Sequence, residues 1–142
     1  MAENLDGKTA LVTGGGSGIG RAASLAYANS GARVVVTDVN IEGGEETVQM
    51  IKESGGEAIL VHADVSRPTD TEAMVSQAVK VFGSLDYAFN NAGIGGGRDR
   101  HLTADYLEED WDRVMAINLK GVWLCMKAET VSYTHLTLPT KA

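Results

Sequence analysis

Cysteine is almost absent. The 142 residues hold one, Cys125, so no internal disulfide can form and no cluster of thiols exists to grip a structural zinc. A reducing, intracellular setting fits that usage. His62, His101 and His135 lie far apart, without metal-ligand spacing. Positive charge is also scarce: twelve Lys and Arg against nineteen Asp and Glu leave a formal net charge of -7. The basic residues are scattered, which argues against a nucleic-acid or anionic-membrane surface. No apolar window approaches membrane-spanning length, and the opening MAENLDGKTALV lacks a basic region followed by a signal-type apolar stretch. The expectation is a soluble, cytoplasmic protein whose partners are small molecules or another copy of itself. With 44% hydrophobic residues, the length suits one domain with a core rather than two.

What is present is an alternation of two patterns. Short β-branched or apolar runs at Thr9 to Thr13, Arg33 to Thr37, Ala58 to Val61 and Leu85 to Phe89 read as strands. Between them, Gly18 to Ser30 reads as a helix closed by Gly31, and Glu45 to Glu53 as a second with Val48 and Ile51 on one face. A third is headed by Thr69 and Glu72 at capping-box spacing, carries Met74, Ala78 and Phe82 on one face, and ends at Gly83. Glu108 to Glu129 reads as one long helical segment or two in sequence, with Trp111, Val114, Met115, Leu119, Val122, Trp123 and Met126 recurring at three and four residues. Gly95 to Gly97 reads as a loop. Strands alternating with helices imply an α/β fold with a parallel sheet, because parallel neighbours need crossovers.

The candidate chemistry lies where strands end. TGGGSGIG, Thr13 to Gly20, joins the first strand to the first helix. Glycines there let the backbone turn and approach a pyrophosphate, and the free N–H groups of the helix start favour its charge. The spacing of Gly14, Gly18 and Gly20 departs from the usual dinucleotide fingerprint, and by itself such a cluster is weak evidence, a plain flexible turn being its alternative. Asp38 closes the second strand, where an acid can accept from both ribose hydroxyls of NAD and would repel a 2'-phosphate; in isolation it is also a solvated loop aspartate. Asp64 and Val65 follow the third strand, and Asn90, Asn91, Ala92 and Gly93 the fourth, where NNAG is also readable as an Asx turn.

Taken in order, TGGGSGIG, Thr37-Asp38, Ala63-Asp64-Val65, NNAG and the INLKG around Asn118 resemble the short-chain dehydrogenase/reductase family from about Leu5 to about Glu129. The resemblance implies a Rossmann-type doubly wound parallel sheet, here its N-terminal part, with strands ordered 3-2-1-4 and the fourth left as an edge. It implies that Gly14, Ser17, Gly18, Ile19 and Gly20 cradle the phosphates, Asp38 binds the adenosine ribose, Asp64 and Val65 flank the adenine, and Asn91, with Ala92 and Gly93, supports the cofactor. Ser17 and Asp38 stand where members preferring NADP carry basic residues, so NAD is expected over NADP. The implied reaction is hydride transfer between the nicotinamide and a small alcohol or carbonyl compound, in an enzyme that is commonly a homotetramer or dimer. Asn118 matches the family's catalytic Asn; its structural alternative is an asparagine that bridges or kinks a helix.

The family's other catalytic groups have no match. None of Tyr27, Tyr87, Tyr106 and Tyr133 is followed four places on by Lys, and Tyr133 with Lys141 is eight apart with Pro139 between. No fifth β-branched run carries a serine. The helical period fades just past Glu129, and Val131 to Thr140 back-translates to codons resembling one reading frame of a transposon-end sequencing adapter. The expectation is therefore a partial NAD-binding domain over residues 1–130 and a non-native tail over 131–142, inactive for want of the Ser and the Tyr-x-x-x-Lys; the alternatives are a half-domain that binds adenine dinucleotide without catalysis, a truncated reading frame without function, and, for the tail, a genuine unstructured terminus. Cys125 is expected as a packing residue.

Overall fold

The structure, a computed structural model, describes residues 4–96 and 101–137, with side chains to residue 132. Four parallel strands, β1 Thr9–Thr13, β2 Arg33–Asp38, β3 Ala58–His62 and β4 Tyr87–Asn90, form a sheet in the order β3-β2-β1-β4. The register sets Leu11 beside Val35 and Ala88, and Val12 beside Val36 and Phe89. That order is the expected one. Every residue of β1 is buried, which explains its unbroken apolar run: both faces of a parallel sheet are covered.

Alternate residues serve opposite faces. Leu11 and Val35 pack with Met74, Val75 and Ala78 of α3 (Pro68–Phe82) and with Cys125 of α5 (Val122–Thr137). Val12, Val34 and Val36 pack on the other side with Val48 and Ile51 of α2 (Ile41–Glu53), and Leu25 and Ala28 of α1 (Gly18–Asn29) lie against them. Each fully buried valine or leucine here contributes about 1.5–3 kcal/mol. The helix-ending glycines Gly31 and Gly83 have φ of 97° and 83°, the left-handed conformation that halts a helix.

Several boundaries differ from the sequence reading. α2 begins at Ile41, ahead of Glu45, because the Asn40 side chain caps it, its Oδ1 accepting from the Gly43 N–H at 3.1 Å. The glycines Gly43 and Gly44, poor helix formers, are held in that first turn. The Thr69–Glu72 capping box does not form: α3 starts with Pro68 in its first turn, Arg67 is the N-cap residue, and no side chain caps it. Thr71 instead donates to the Pro68 carbonyl at 2.9 Å. β4 begins two residues late, since the Asp86 N–H donates to the Thr9 carbonyl at 2.9 Å while the Asp86 carboxylate accepts from the Thr9 N–H at 2.9 Å, a side-chain link in place of a ladder bond.

The long segment divides into α4 (Glu108–Met115), a π-helical stretch Ala116–Gly121, and α5. α5 runs on past Glu129 to Thr137; Ser, Thr and Tyr weaken a helix without breaking it, and the first breaker in the sequence is Pro139. Gly97 of the expected loop, and Pro139 and Lys141 of the tail, lie outside the described residues.

Candidate functional site

The carboxyl ends of the four strands open onto one cleft of about 380 Å³. Its lining includes Gly14, Ser17, Gly18 and Ile19 from the first loop and the start of α1, Thr37, Asp38 and Val39 at the end of β2, Asp64 and Val65 after β3, and Asn91, Ala92 and Gly93 after β4. Sequence segments far apart thus meet because all four strands run the same way. Of the strand-end and family-motif residues singled out in the sequence, Gly20, Asn90 and Asn118 are not among those that line the cleft.

Gly14 has φ of 64°, and a side chain there would come within 3.0 Å of the Ala92 backbone. Only glycine fits both conditions. Gly20, inside the first turn of α1, faces the Gly14 carbonyl so closely that a methyl group would overlap it. Its role is to let helix and loop touch rather than to meet a ligand. The loop is stitched to β4 by Asn91, whose Nδ2 donates to the Thr13 carbonyl at 3.2 Å, and by the Ala92 N–H, which donates to Thr13 Oγ1 at 3.0 Å. α1 starts from Ser17 with no side-chain cap and no acid in its first turn, so its N–H groups and dipole are free to meet an anion.

The Asp38 carboxylate accepts from two backbone donors, the Gly16 N–H at 2.9 Å through Oδ2 and the Asn40 N–H at 2.9 Å through Oδ1. A carboxylate has about four acceptor positions, so two stay available. Asp64 holds its own turn, Oδ1 accepting from the Ser66 N–H at 2.9 Å and the Ser66 hydroxyl at 2.6 Å, and its N–H donates to Asp70 Oδ2 at 3.0 Å. That turn presents Val65, whose side chain also packs against Gly121 of the π-helical stretch. With Ile19 and Val39 on the rim, the cleft has apolar walls for a flat ring, an acid for a diol, and a helix start for phosphate. Among the described residues, no Lys, Arg, His, Tyr or Cys lines it.

Asn118 lies in the π-helical stretch and reaches back to the loop after β4, its Oδ1 accepting from the Ile94 N–H at 2.8 Å and its Nδ2 donating to the Ile94 carbonyl at 2.9 Å. Both ends of its amide are engaged with one residue. Tyr27 and Tyr87 face each other at 6.1 Å between ring centroids and do not line the cleft.

Sequence reasoning missed two features beside the site. Arg21 and Thr47 bind the glycine loop to α2, and no spacing rule announces that pair. Glu129, 4% exposed, accepts from Asn90 Nδ2 at 3.0 Å through Oε2. Burial pushes its carboxyl above the ordinary range, partly offset by the Asn90 hydrogen bond. Cys125 is buried, and that burial, followed by the nearby Glu129 charge, pushes its thiol up to about 12. It is an inert packing residue, as expected. Among the described residues no helix is long and apolar enough to cross a membrane.

Residues 8–133 match the family model described as short chain dehydrogenase. An uncharacterized oxidoreductase from Thermotoga maritima is 44% identical over 124 residues, which is 87% of this chain and 47% of that protein. The cyclohexanol dehydrogenase of an Acinetobacter species is 41% identical over 129 residues, 91% of this chain and 50% of the relative. The chain therefore spans about half the length of the curated relatives it matches. In three dimensions it is similar to a short chain dehydrogenase/reductase from Burkholderia phymatum solved in complex with NAD, with a TM-score of 0.86 and 33% identity over 91% of this chain and 45% of that one.

Proposed function

The chain belongs to the short-chain dehydrogenase family, and on that premise we propose that it is the cofactor-binding part of an NAD-dependent oxidoreductase acting on a small alcohol or carbonyl compound. The observation that carries the reading is Asp38: an acid at the end of β2, in the same cleft as the uncapped start of α1. When bound, the nicotinamide would exchange hydride with the substrate carbon. The residues of this chain bind and orient. Gly14, Ser17, Gly18 and Ile19 would surround the pyrophosphate, with Gly20 allowing the close approach of α1; Asp38 would accept from the ribose hydroxyls; Asp64 and Val65 would flank the adenine. Asn91, Ala92 and Gly93 would hold the floor of the cleft.

NAD is favoured over NADP because Ser17 and Asp38 offer a 2'-phosphate no cation and one anion. A proton must move with the hydride, and among the described residues the cleft lining holds no Tyr, Lys or His to move it. This chain by itself should thus bind the nucleotide without turning over an alcohol. Asn118, occupied with Ile94, would place the loop beside the nicotinamide rather than act alone. We further propose that the functional protein is soluble and cytoplasmic, that residues 1–130 belong to the partial domain, and that residues 131–142 do not; resequencing the source DNA across Glu129 to Ala142 tests the last point.

Calorimetric titration of the chain with NAD and NADP tests the cofactor reading. Saturable binding of NAD, at least tenfold tighter than NADP, is expected; equal affinities would remove the role given to Asp38. Steady NADH production from an alcohol, abolished by Asn118→Ala, would overturn the inactivity.

A further inference from the structure

The glycine loop is held from behind as well as from the cleft. Arg21, in the first turn of α1, turns away from the cleft toward α2. Its Nη2 donates to the Gly16 carbonyl at 2.7 Å, the Gly43 carbonyl at 3.2 Å and Glu46 Oε2 at 2.8 Å, and its Nε donates to Thr47 Oγ1 at 3.0 Å. The buried Thr47 hydroxyl lies 2.8 Å from the Gly15 carbonyl, to which it donates. Two successive peptides of the loop are thereby tied to α2. At Gly16 the fit is tight: an added methyl carbon would stand 2.8 Å from Asp38 Oδ2 and 2.9 Å from the Gly44 nitrogen. The flank of Asp38 that faces the loop is filled by backbone.

We propose that Arg21 is a positioning residue for the cofactor: it seats Gly16 against Asp38 and α2, which fixes the acid and keeps closed the space where a 2'-phosphate would need to lie. The inference rests on the reading of the cleft as an NAD site. A planar guanidinium suits the task because its fork serves several acceptors at once, whereas an ammonium on the same stem is a single point of charge. Glu46 is secondary. Its side chain is 58% exposed and that of Arg21 27% exposed, so the ion pair between them is worth little.

The test is titration of the full 142-residue chain with NAD and NADP, alongside thermal melting, for Arg21→Ala, Arg21→Lys, Thr47→Val and Glu46→Gln. Arg21→Ala should weaken NAD by about tenfold or more, the scale of one charge-assisted hydrogen bond, and weaken NADP less, so that the preference narrows. Arg21→Lys should recover part of the loss. Thr47→Val, which keeps the buried volume, should shift the preference in the same direction by less, and Glu46→Gln should leave NAD within about twofold. A loss confined to melting temperature, with the NAD-to-NADP ratio unchanged, overturns the proposal. Should Arg21→Ala not fold, an unchanged ratio in both Arg21→Lys and Thr47→Val overturns it as well. Failure of the unsubstituted chain to bind NAD overturns instead the cofactor reading beneath it, and the inference falls with it.

Discussion

Asn118 grips both backbone groups of Ile94, accepting its N–H and donating to its carbonyl across twenty-four residues of sequence. A helix interior and the loop after β4 are joined by one amide. Because the amide is the one side chain offering an acceptor and a donor at that spacing, neither Asp nor Ala replaces it. Asn118→Ala should cost about 1 kcal/mol or less, the net worth of hydrogen bonds that are exposed, and should raise hydrogen exchange at Ile94. Urea unfolding with amide exchange checks both, and unchanged exchange at Ile94 would sink the tether.

At Asp38 the carboxylate serves the loop before it serves a ligand. Asp38→Asn can present one oxygen to one of the two backbone donors but not both, and Asp38→Ala neither. NAD affinity should fall about tenfold in Asp38→Asn and further in Asp38→Ala, from bonds worth about 1.5–3 kcal/mol to a charged acceptor. Calorimetry on the two variants reads this directly; wild-type affinity in Asp38→Ala would refute the ribose assignment.

Gly20 tolerates nothing larger. Its α-carbon lies under the Gly14 carbonyl, so Gly20→Ala should destabilise the chain by about 1–3 kcal/mol through overpacking, although alanine is the better helix former. A melting temperature equal to wild type would show that loop and helix can separate freely.

Glu129 gives stability a pH dependence of unusual sign for a carboxylate. Its folded-state value lies above the ordinary one because burial disfavours the charge. The fold therefore binds its proton more tightly than the unfolded chain does, and stability should be full below the ordinary carboxylate range and decline as pH rises through the raised value. Glu129 Oε1 and Asn90 Oδ1 are both buried without a partner, and a proton on the carboxyl supplies one donor. Glu129→Gln carries a donor at every pH, so it should flatten the decline and gain about 1 kcal/mol at the alkaline end. Urea midpoints from acid to neutral pH measure it; parallel curves for the two proteins would show that Glu129 is not the titrating group.

The four strands and the place of the cleft were legible because each rests on local pattern: β-branched runs, glycines at their ends, an acid closing the second; the strand order came from the family resemblance instead. Gly14, Gly18, Asp38, Asp64, Val65, Asn91, Ala92 and Gly93 were found that way, Ser17 and Ile19 through the family resemblance, and all line the cleft. The true start of α2 was hidden because Gly43 and Gly44 argue against helix in any window, and only the Asn40 cap outweighs them. α3 was read with a side-chain cap that it does without, since Pro68 already supplies the φ a first turn needs. The run of α5 past Glu129 has a similar origin, for a fading apolar period does not by itself end a helix.

The sequence by itself determined the alternation of strand and helix, hence a parallel sheet with its ligand-facing rim at the carboxyl ends of the strands, because those features follow from residue type and spacing along the chain. Only the tertiary structure decided that Asp38 is bound to Gly16, that Arg21 ties the loop to α2, that Asn118 holds Ile94, and that Glu129 is buried against Asn90. Each of these is a contact between groups distant in sequence, and its strength depends on distance, angle and exclusion of water, none of which has a local signature. Spacing can place a polar residue near a strand end, but which donor it meets is settled by how the helices close on the sheet.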